Sequence, residues 1–325
     1  MMKRVVTAAL IVVGLVTFAA SGFAQQYPSR TVTIIVPYAA GGPTDEVARV
    51  VANALSTKLK QNFIVENVSG GGTIIATNRV AHAAPDGYML LLHNLQISAN
   101  VMLYKNLPFD TEKDLTPIMF INRNPLVLVG SKTLEPNTLA ELVALMKQKR
   151  LKAAIAGYGT TGHLATTLLV QEVKATIDQI PYRGGAPALT DIIGGHVDLF
   201  FGTPQQVVQQ AVAGQIKAYG VTTKEKLPQL PAAESLVKVF EPEFEIHYWQ
   251  ALFAPSGTPD SVIQKLNSTL QEIVSDPAIL KSWADTGVLP YPENQRSAAA
   301  ARAMLKSEIA RWSKVIRDNN IRVEQ

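Results

Sequence analysis

The sequence predicts an α/β protein of two lobes, each a largely parallel sheet flanked by helices. Three observations lead there. Strand-like apolar runs alternate with amphipathic helical runs through most of the chain. About 300 residues remain after a leader is removed, more than one hydrophobic core usually supports. The chain also changes character twice, at Arg123, Asn124 and Pro125 and again near "FEIHYWQALFAPSGTPD". Two crossings, at about residues 124 and 246, would join the lobes by two backbone segments and permit a hinge. The expected division is 25–124 plus 247–325 for the first lobe and 125–246 for the second.

Residues 1–24 read as a secretory signal peptide. Lys3 and Arg4 precede an apolar stretch from Val5 to Ala20, and the small residues Gly22 and Ala24 suit cleavage after Ala24. The apolar run is too short for a spanning helix. Export is therefore expected, and the formal charge falls from +4 to +2 with the leader. Lys and Arg are scattered without a basic stripe, which argues against a nucleic-acid partner. Cysteine is absent, so disulfides, thiolate metal sites and cysteine nucleophiles are excluded.

In order, "TVTIIV" reads as a buried strand, and Val47, Val51 and Leu55 lie on one face of a helix opened by Pro43 and Thr44. "NFIVENV" is a second strand, followed by "SGGG", a helix over about 74–83, and a third strand in "PDGYMLLL". The second lobe begins at "PLVLVG". It continues as helix "TLAELVALMKQK", strand "KAAIAG", helix "HLATTLLVQEV", strand "IDQIPY" and helix "APALTDIIGG". Strands "HVDLFFG" and "IKAYGVTT" follow, with a helix over about 204–213 between them. Thr258 and Pro259 are expected to open a helix whose stripe is Val262, Ile263, Leu266, Leu270 and Ile273, ended by Asp276 and Pro277. A last helix is expected over about 296–318.

Ligands of open α/β sheets sit at the carboxyl ends of strands. The loops there are "PYAAGGPTD", "SGGGT", "HNLQIS", "GYGTTGH", "PYRGGAP" and "FGTPQQ". Small residues let a ligand approach the backbone, and Thr44, Thr160, Thr161 and Thr203 offer hydroxyls beside helix starts, where unpaired amides favour anions. Any one such loop is also ordinary turn chemistry; their number on a common side is what points to a site. Arg183 is the one fixed positive charge in these loops, either a bidentate partner for a carboxylate or else a solvated residue or an interlobe salt bridge. Asp45, a negative charge in the first turn of an anion-binding helix, is expected to stabilise that turn and face away from the ligand. Hinge packing is favoured over ligand stacking for Tyr248 and Trp249.

Gly157, Gly159 and Gly162 satisfy a dinucleotide-binding spacing, with Asp178 about twenty residues on. The motif lies deep in the chain, and an exported protein has little access to nicotinamide cofactors, so no cofactor is expected. The G-x-S-x-G, P-loop and H-E-x-x-H patterns are missing, and His82, His93, His163, His196 and His247 lack ligand spacing, so no metal is expected.

Several separated stretches, "YPSRTVTIIVPYAAGGPTDEVAR", "APDGYMLLL", "IPYRGGAPALTDIIGGHVDLFFG" and "LFAPSGTPDSVIQKLN", resemble the Bug receptor family, the periplasmic solute-binding proteins of tripartite tricarboxylate transporters. The resemblance implies a two-lobed periplasmic-binding-protein (Venus-flytrap) fold closing on a carboxylate. It implies transporter membrane subunits as partners, a monomer in the periplasm, and no enzymatic activity. It also implies that one carboxylate lies between Tyr38 to Thr44 (Tyr38, Ala40, Gly41, Thr44) and Gly159 to His163 (Gly159, Thr160, Thr161). The rest of the ligand would meet Gly72, His93, Asn94, Gly184 and Thr203.

The chain departs from the family at Val68 and Ser69, where a basic residue and proline are frequent. Tyr38 and Tyr158 suggest aromatic walls, so an organic dicarboxylate, with terephthalate foremost, is the expected ligand. The rival expectations are an exported enzyme using His163 or the "GYGTTG" loop, and a sensor that hands its closed form to a signalling partner.

Overall fold

The computed structural model describes residues 27–240 and 244–323; the leader expected over 1–24 lies outside them. The chain opens with β1 (Val32–Val36), α1 (Pro43–Leu59), β2 (Phe63–Asn67), α2 (Ile74–Ala81), β3 (Met89–Asn94), α3 (Gln96–Leu103) and β4 (Leu115–Pro125). It then runs through β5 (Val127–Ser131), α4 (Leu139–Gln148), β6 (Leu151–Ile155), α5 (Thr161–Val173), β7 (Ile177–Pro181), α6 (Gly185–Gly194), β8 (Leu199–Gly202) and α7 (Pro204–Val212). Next come β9 (Ile216–Val221), β10 (Glu234–Ser235), the single-turn α8 (Leu236–Val239) and β11 (His247–Pro255). The chain closes with α9 (Asp260–Ile273), α10 (Pro277–Asp285), β12 (Leu289–Pro290) and α11 (Ala298–Asp318). None of these helices is long and apolar enough to cross a membrane.

The strands form two six-stranded sheets, ordered β12-β4-β11-β3-β1-β2 and β10-β9-β5-β8-β6-β7. Each is mixed, which corrects the expectation of largely parallel sheets. β1 runs parallel to β2 and β3, but β11 is antiparallel to both β3 and β4. In the second sheet β5 is antiparallel to β8 and β9. The reversed strands are those beside the crossings: a strand leaving one lobe for the other runs against its neighbours, and alternation of strands and helices does not record that direction.

Burial explains the sequence pattern. Val32, Ile34 and Val36 pack on the α1 residues Val47, Val51 and Leu55 and on Leu266, Leu270 and Ile273 of α9, while Ile35 joins the core on the opposite face. A strand covered on both faces has no polar side, hence the continuous apolar run. Helix starts are built locally. Thr160 accepts the His163 amide at 3.3 Å to cap α5, and Asp276 caps α10, so "DP" both closes one helix and opens the next. Thr258 does not cap α9; its hydroxyl donates back to the Pro255 carbonyl at 2.8 Å, and the cap position falls to Pro259.

Where the chain crosses, one residue binds both segments. Thr222, fully buried at the end of β9, accepts the Leu126 amide on its hydroxyl at 2.8 Å and donates that hydroxyl to the Ile246 carbonyl. Its backbone amide donates to the Leu126 carbonyl, and its carbonyl accepts from the Ile246 amide. Beside it Trp249 is buried against Phe120 and donates its indole N–H to Glu308 at 2.7 Å, which also accepts from Trp312. Trp249 thus packs within the first lobe, between β4 and α11.

Replacing Thr222 by Val keeps the shape but leaves a buried amide and a buried carbonyl each short of a partner. Unfolding free energy should fall by about 2–4 kcal/mol, read from urea denaturation; a loss under about 0.5 kcal/mol would contradict the role.

Candidate functional site

A cavity of about 1080 Å³ lies between the lobes, lined from both sheets. It opens where β1, β2, β3, β6, β7 and β8 end and their following helices begin. The starts of α1, α5, α6 and α7 all contribute lining residues. First-turn amides have no intrahelical acceptor, and the helix dipole adds partial positive charge there.

Nine of the twelve expected residues line this cavity: Tyr38, Ala40, Thr44, Gly72, Asn94, Thr160, Thr161, Gly184 and Thr203. Gly41, His93 and Gly159 do not, and each has a physical reason. The Gly41 amide donates to Asp45 Oδ2 at 2.8 Å. The Gly159 amide donates to His163 Nδ1 at 3.1 Å, while its α-carbon faces the other lobe: a Cβ there would lie 3.0 Å from Leu103 Cδ1. His93 is fully buried behind the wall, its Nδ1 accepting the Asn94 amide at 2.8 Å and its Nε2 lying 3.1 Å from Thr73 Oγ1. The backbone donors expected of Gly41 and Gly159 therefore hold loop shape instead.

Asp45 turns inward as expected. Its buried carboxylate accepts from Gly41, from Arg49 Nε at 2.9 Å and from Asn67 Nδ2 at 2.9 Å. Burial pushes its pKa up, but these bonds and the Arg49 charge outweigh that and hold it below the usual value. The anion-favouring end of α1 thus has its own acid bound to the loop.

The wall beneath is a neutral hydrogen-bond network. Tyr38 donates its hydroxyl to Asn94 Oδ1 at 2.7 Å and lies 3.1 Å from Gln96 Oε1; Asn94 Oδ1 also accepts the Gln96 amide. Asn94 Nδ2 reaches Tyr248 Oη at 3.0 Å and Thr44 Oγ1 at 3.3 Å, and those two hydroxyls are 2.8 Å apart. Every hydrogen-bonding capacity of the Asn94 amide is spent. Tyr248 lines the cavity, against the expectation that it serves only the hinge. Burial raises its pKa to about 12, and raises that of Tyr38 as well, so both stay neutral donors.

The two lobes repeat one arrangement. Tyr38 meets His93 edge-on at 5.7 Å, and Tyr158 meets His163 edge-on at 5.6 Å. Both tyrosines line the cavity. Burial lowers His93 to about 3 and His163 to about 4, so both imidazoles are neutral at ordinary pH. His163 is buried, with Nδ1 accepting the Gly159 amide. Asp178 pairs with Arg150 on the surface, so the dinucleotide spacing lacks its acidic partner at the cavity.

Two polar features stand out. Thr161, at the first position of α5, is 2% exposed and its hydroxyl has no partner in the protein. Arg183 is the one charged side chain lining the cavity. Sequence reasoning missed Gln96, Asn100 and Tyr104, having taken "HNLQIS" as a loop, whereas α3 begins at Gln96. Gln96 Nε2 bridges to the Tyr158 carbonyl at 3.3 Å across the lobes, and Asn100 Nδ2 donates to the Gly72 carbonyl at 2.9 Å. Polar residues four apart, in an otherwise apolar stretch, were the available signal. Gly72 itself has φ +60°, and a Cβ there would sit 1.9 Å from the Tyr104 hydroxyl. Among the described residues no group of three or more histidines and acids is placed to hold a metal.

Residues 47–321 match the model of the tripartite tricarboxylate transporter family receptor. A protein of Agrobacterium vitis, the UPF0065 protein in the TAR-I ttuE-ttuC' intergenic region, is 37% identical over 90% of this chain and 85% of its own. Among solved structures, the periplasmic binding protein BugD superposes with a TM-score of 0.86 at 33% identity, covering 92% of this chain and 100% of its own. MatC from Rhodopseudomonas palustris with bound malate gives 0.83 at 32% identity, over 89% and 100%. The R. palustris Rpa4515 protein with adipate gives 0.85 at 31%, over 91% and 99%. With the family model spanning most of the chain and the whole two-lobed fold shared, this protein belongs to the tripartite tricarboxylate transporter receptor family.

Proposed function

We propose that this receptor captures an organic dicarboxylate in the periplasm, as a monomer, and delivers it to transporter membrane subunits. An aromatic diacid such as terephthalate is the leading candidate. The observation that carries the reading is the buried, unpartnered Thr161 hydroxyl at the start of α5, in a cavity that also takes in the start of α1 and no acidic side chain. A buried hydroxyl without a partner costs free energy until a ligand supplies one. A carboxylate does so, and it also satisfies the first-turn amides of both helices. Tyr38 and Tyr158 supply flat walls for a ring. Malate and adipate, bound by two neighbours in structure, are both dicarboxylates, which supports a diacid.

Calorimetry against malate, adipate, terephthalate and their monoacid counterparts tests the reading. Binding of a diacid in preference to the monoacids is expected; binding of a sugar or cation with no carboxylate bound would overturn it. An aliphatic diacid bound far more tightly than terephthalate would remove the aromatic preference alone.

Thr161→Val should weaken the bound carboxylate roughly 5- to 10-fold, the range of one lost hydrogen bond, with the thermal midpoint of the free protein unchanged or raised. Isothermal titration and a melting curve together check this. An unchanged affinity would place the carboxylate elsewhere.

Affinity for a fully ionised ligand should be flat from pH 5.5 to 8, because His93 and His163 stay neutral there. Stability behaves differently. Both folded pKa values lie below the unfolded value near 6.5, so below that pH the unfolded chain binds protons that the fold refuses. Stability is fully present above about pH 6.5 and falls toward pH 4, by about 1.4 kcal/mol per pH unit for each histidine. Urea melts across this range read the slope, and a slope of opposite sign would contradict the neutral assignment.

A further inference from the structure

Three polar groups are candidates for the far end of a diacid: His93, Asn94 and Arg183. His93 is sealed behind the wall with both ring nitrogens engaged. Asn94 has no donor or acceptor left. Arg183 differs on both counts. It lines the cavity, and no hydrogen bond or ion pair joins it to any described residue. It is exposed, so holding it free in water costs little, and its guanidinium keeps five donors and a full charge for a ligand.

Its stem is fixed. The Tyr182 amide donates to the Ile155 carbonyl at 2.8 Å, and the Tyr182 hydroxyl donates to Asp191 at 2.6 Å, so the residue before Arg183 is tied to both β6 and α6. Gly184, with φ +114°, turns the chain immediately afterwards and leaves open space where a side chain would stand. The loop follows β7, which pairs directly with β6, the strand that leads to Thr161. The roots of the two loops are therefore about 5 Å apart, the spacing of neighbouring strands. A molecule with one carboxylate on Thr161 can therefore reach Arg183 with its other end along the same lobe.

We propose that Arg183 is the specificity residue of this receptor: it pairs with the second carboxylate and so selects diacids over monoacids of the same skeleton. The inference rests on the carboxylate-receptor reading above. The site holding the first carboxylate is neutral and serves mono- and diacids alike. The difference between them is set by the one charge that only a diacid reaches, in a cavity with no acidic side chain to compete for it.

The test compares matched pairs, terephthalate with benzoate and adipate with hexanoate, on the wild-type chain, R183Q and R183K by calorimetry. For the pair bound by the wild type, R183Q should lose roughly 10- to 100-fold in diacid affinity, the range of a charge-assisted hydrogen bond. Monoacid affinity should change less than about 3-fold, and R183K should recover most of the diacid loss. Equal losses for diacid and monoacid, or no loss for either, would overturn the specificity role while leaving the receptor reading intact. A wild-type protein that binds none of the four acids removes both.

Discussion

Everything in this molecule depends on a chain that passes twice between its lobes at one place. Thr222 secures that place with four hydrogen bonds, two to each passing segment, from a position with no solvent exposure. On the first-lobe side the segments continue as β4 and β11, paired from Leu115 and Pro255 to Pro125 and His247 as neighbouring strands of one sheet, so both crossings leave that sheet side by side. The lobes are thereby joined at one edge of the space between them. The cavity lies there because the loops after strands of both sheets line one space.

That space favours anions chiefly through dipoles. Each helix start contributes a few tenths to about 1 kcal/mol for a nearby negative charge, more where water is excluded. Several starts together equal a strong ion pair without requiring a buried cation, whose desolvation costs several kcal/mol in the empty receptor. The Tyr38, Asn94, Thr44 and Tyr248 network serves the same end. Its members satisfy one another, so the wall keeps its shape before a ligand arrives, and little ordering remains to oppose binding.

Much of this was legible in the residues. The alternation of apolar runs and helices, the two crossings and most of the cavity loops follow from periodicity and from where glycine and threonine stand. Strand direction did not, because β5 and β11 have the same apolar composition whichever way they run. The start of α3 was hidden because it carries no capping residue: Leu95 precedes Gln96 already in helical geometry. Gly41 and Gly159 show a subtler limit. Their amides sit in the right loops, but Asp45 and His163, each four residues on, claim them, and such short-range competition is invisible until the loop is folded. Thr161 and Thr160 look alike in sequence. Only burial and the cap geometry show that Thr160 is spent on α5 while the Thr161 hydroxyl has no partner in the protein.

Gly159 has one more consequence. It touches no part of the cavity, yet it stands where the lobes meet, 3.0 Å from Leu103 Cδ1 and 3.3 Å from Gln96 Nε2 measured from the Cβ it lacks. With φ +77° the backbone itself resists a side chain there, and a Cβ would crowd the ends of Leu103 and Gln96 from the facing lobe, so a bulkier residue would press against closure. Observed affinity scales with the fraction of molecules able to close. A side chain at this single position would thus act on closure from outside the cavity, without adding a group to its lining.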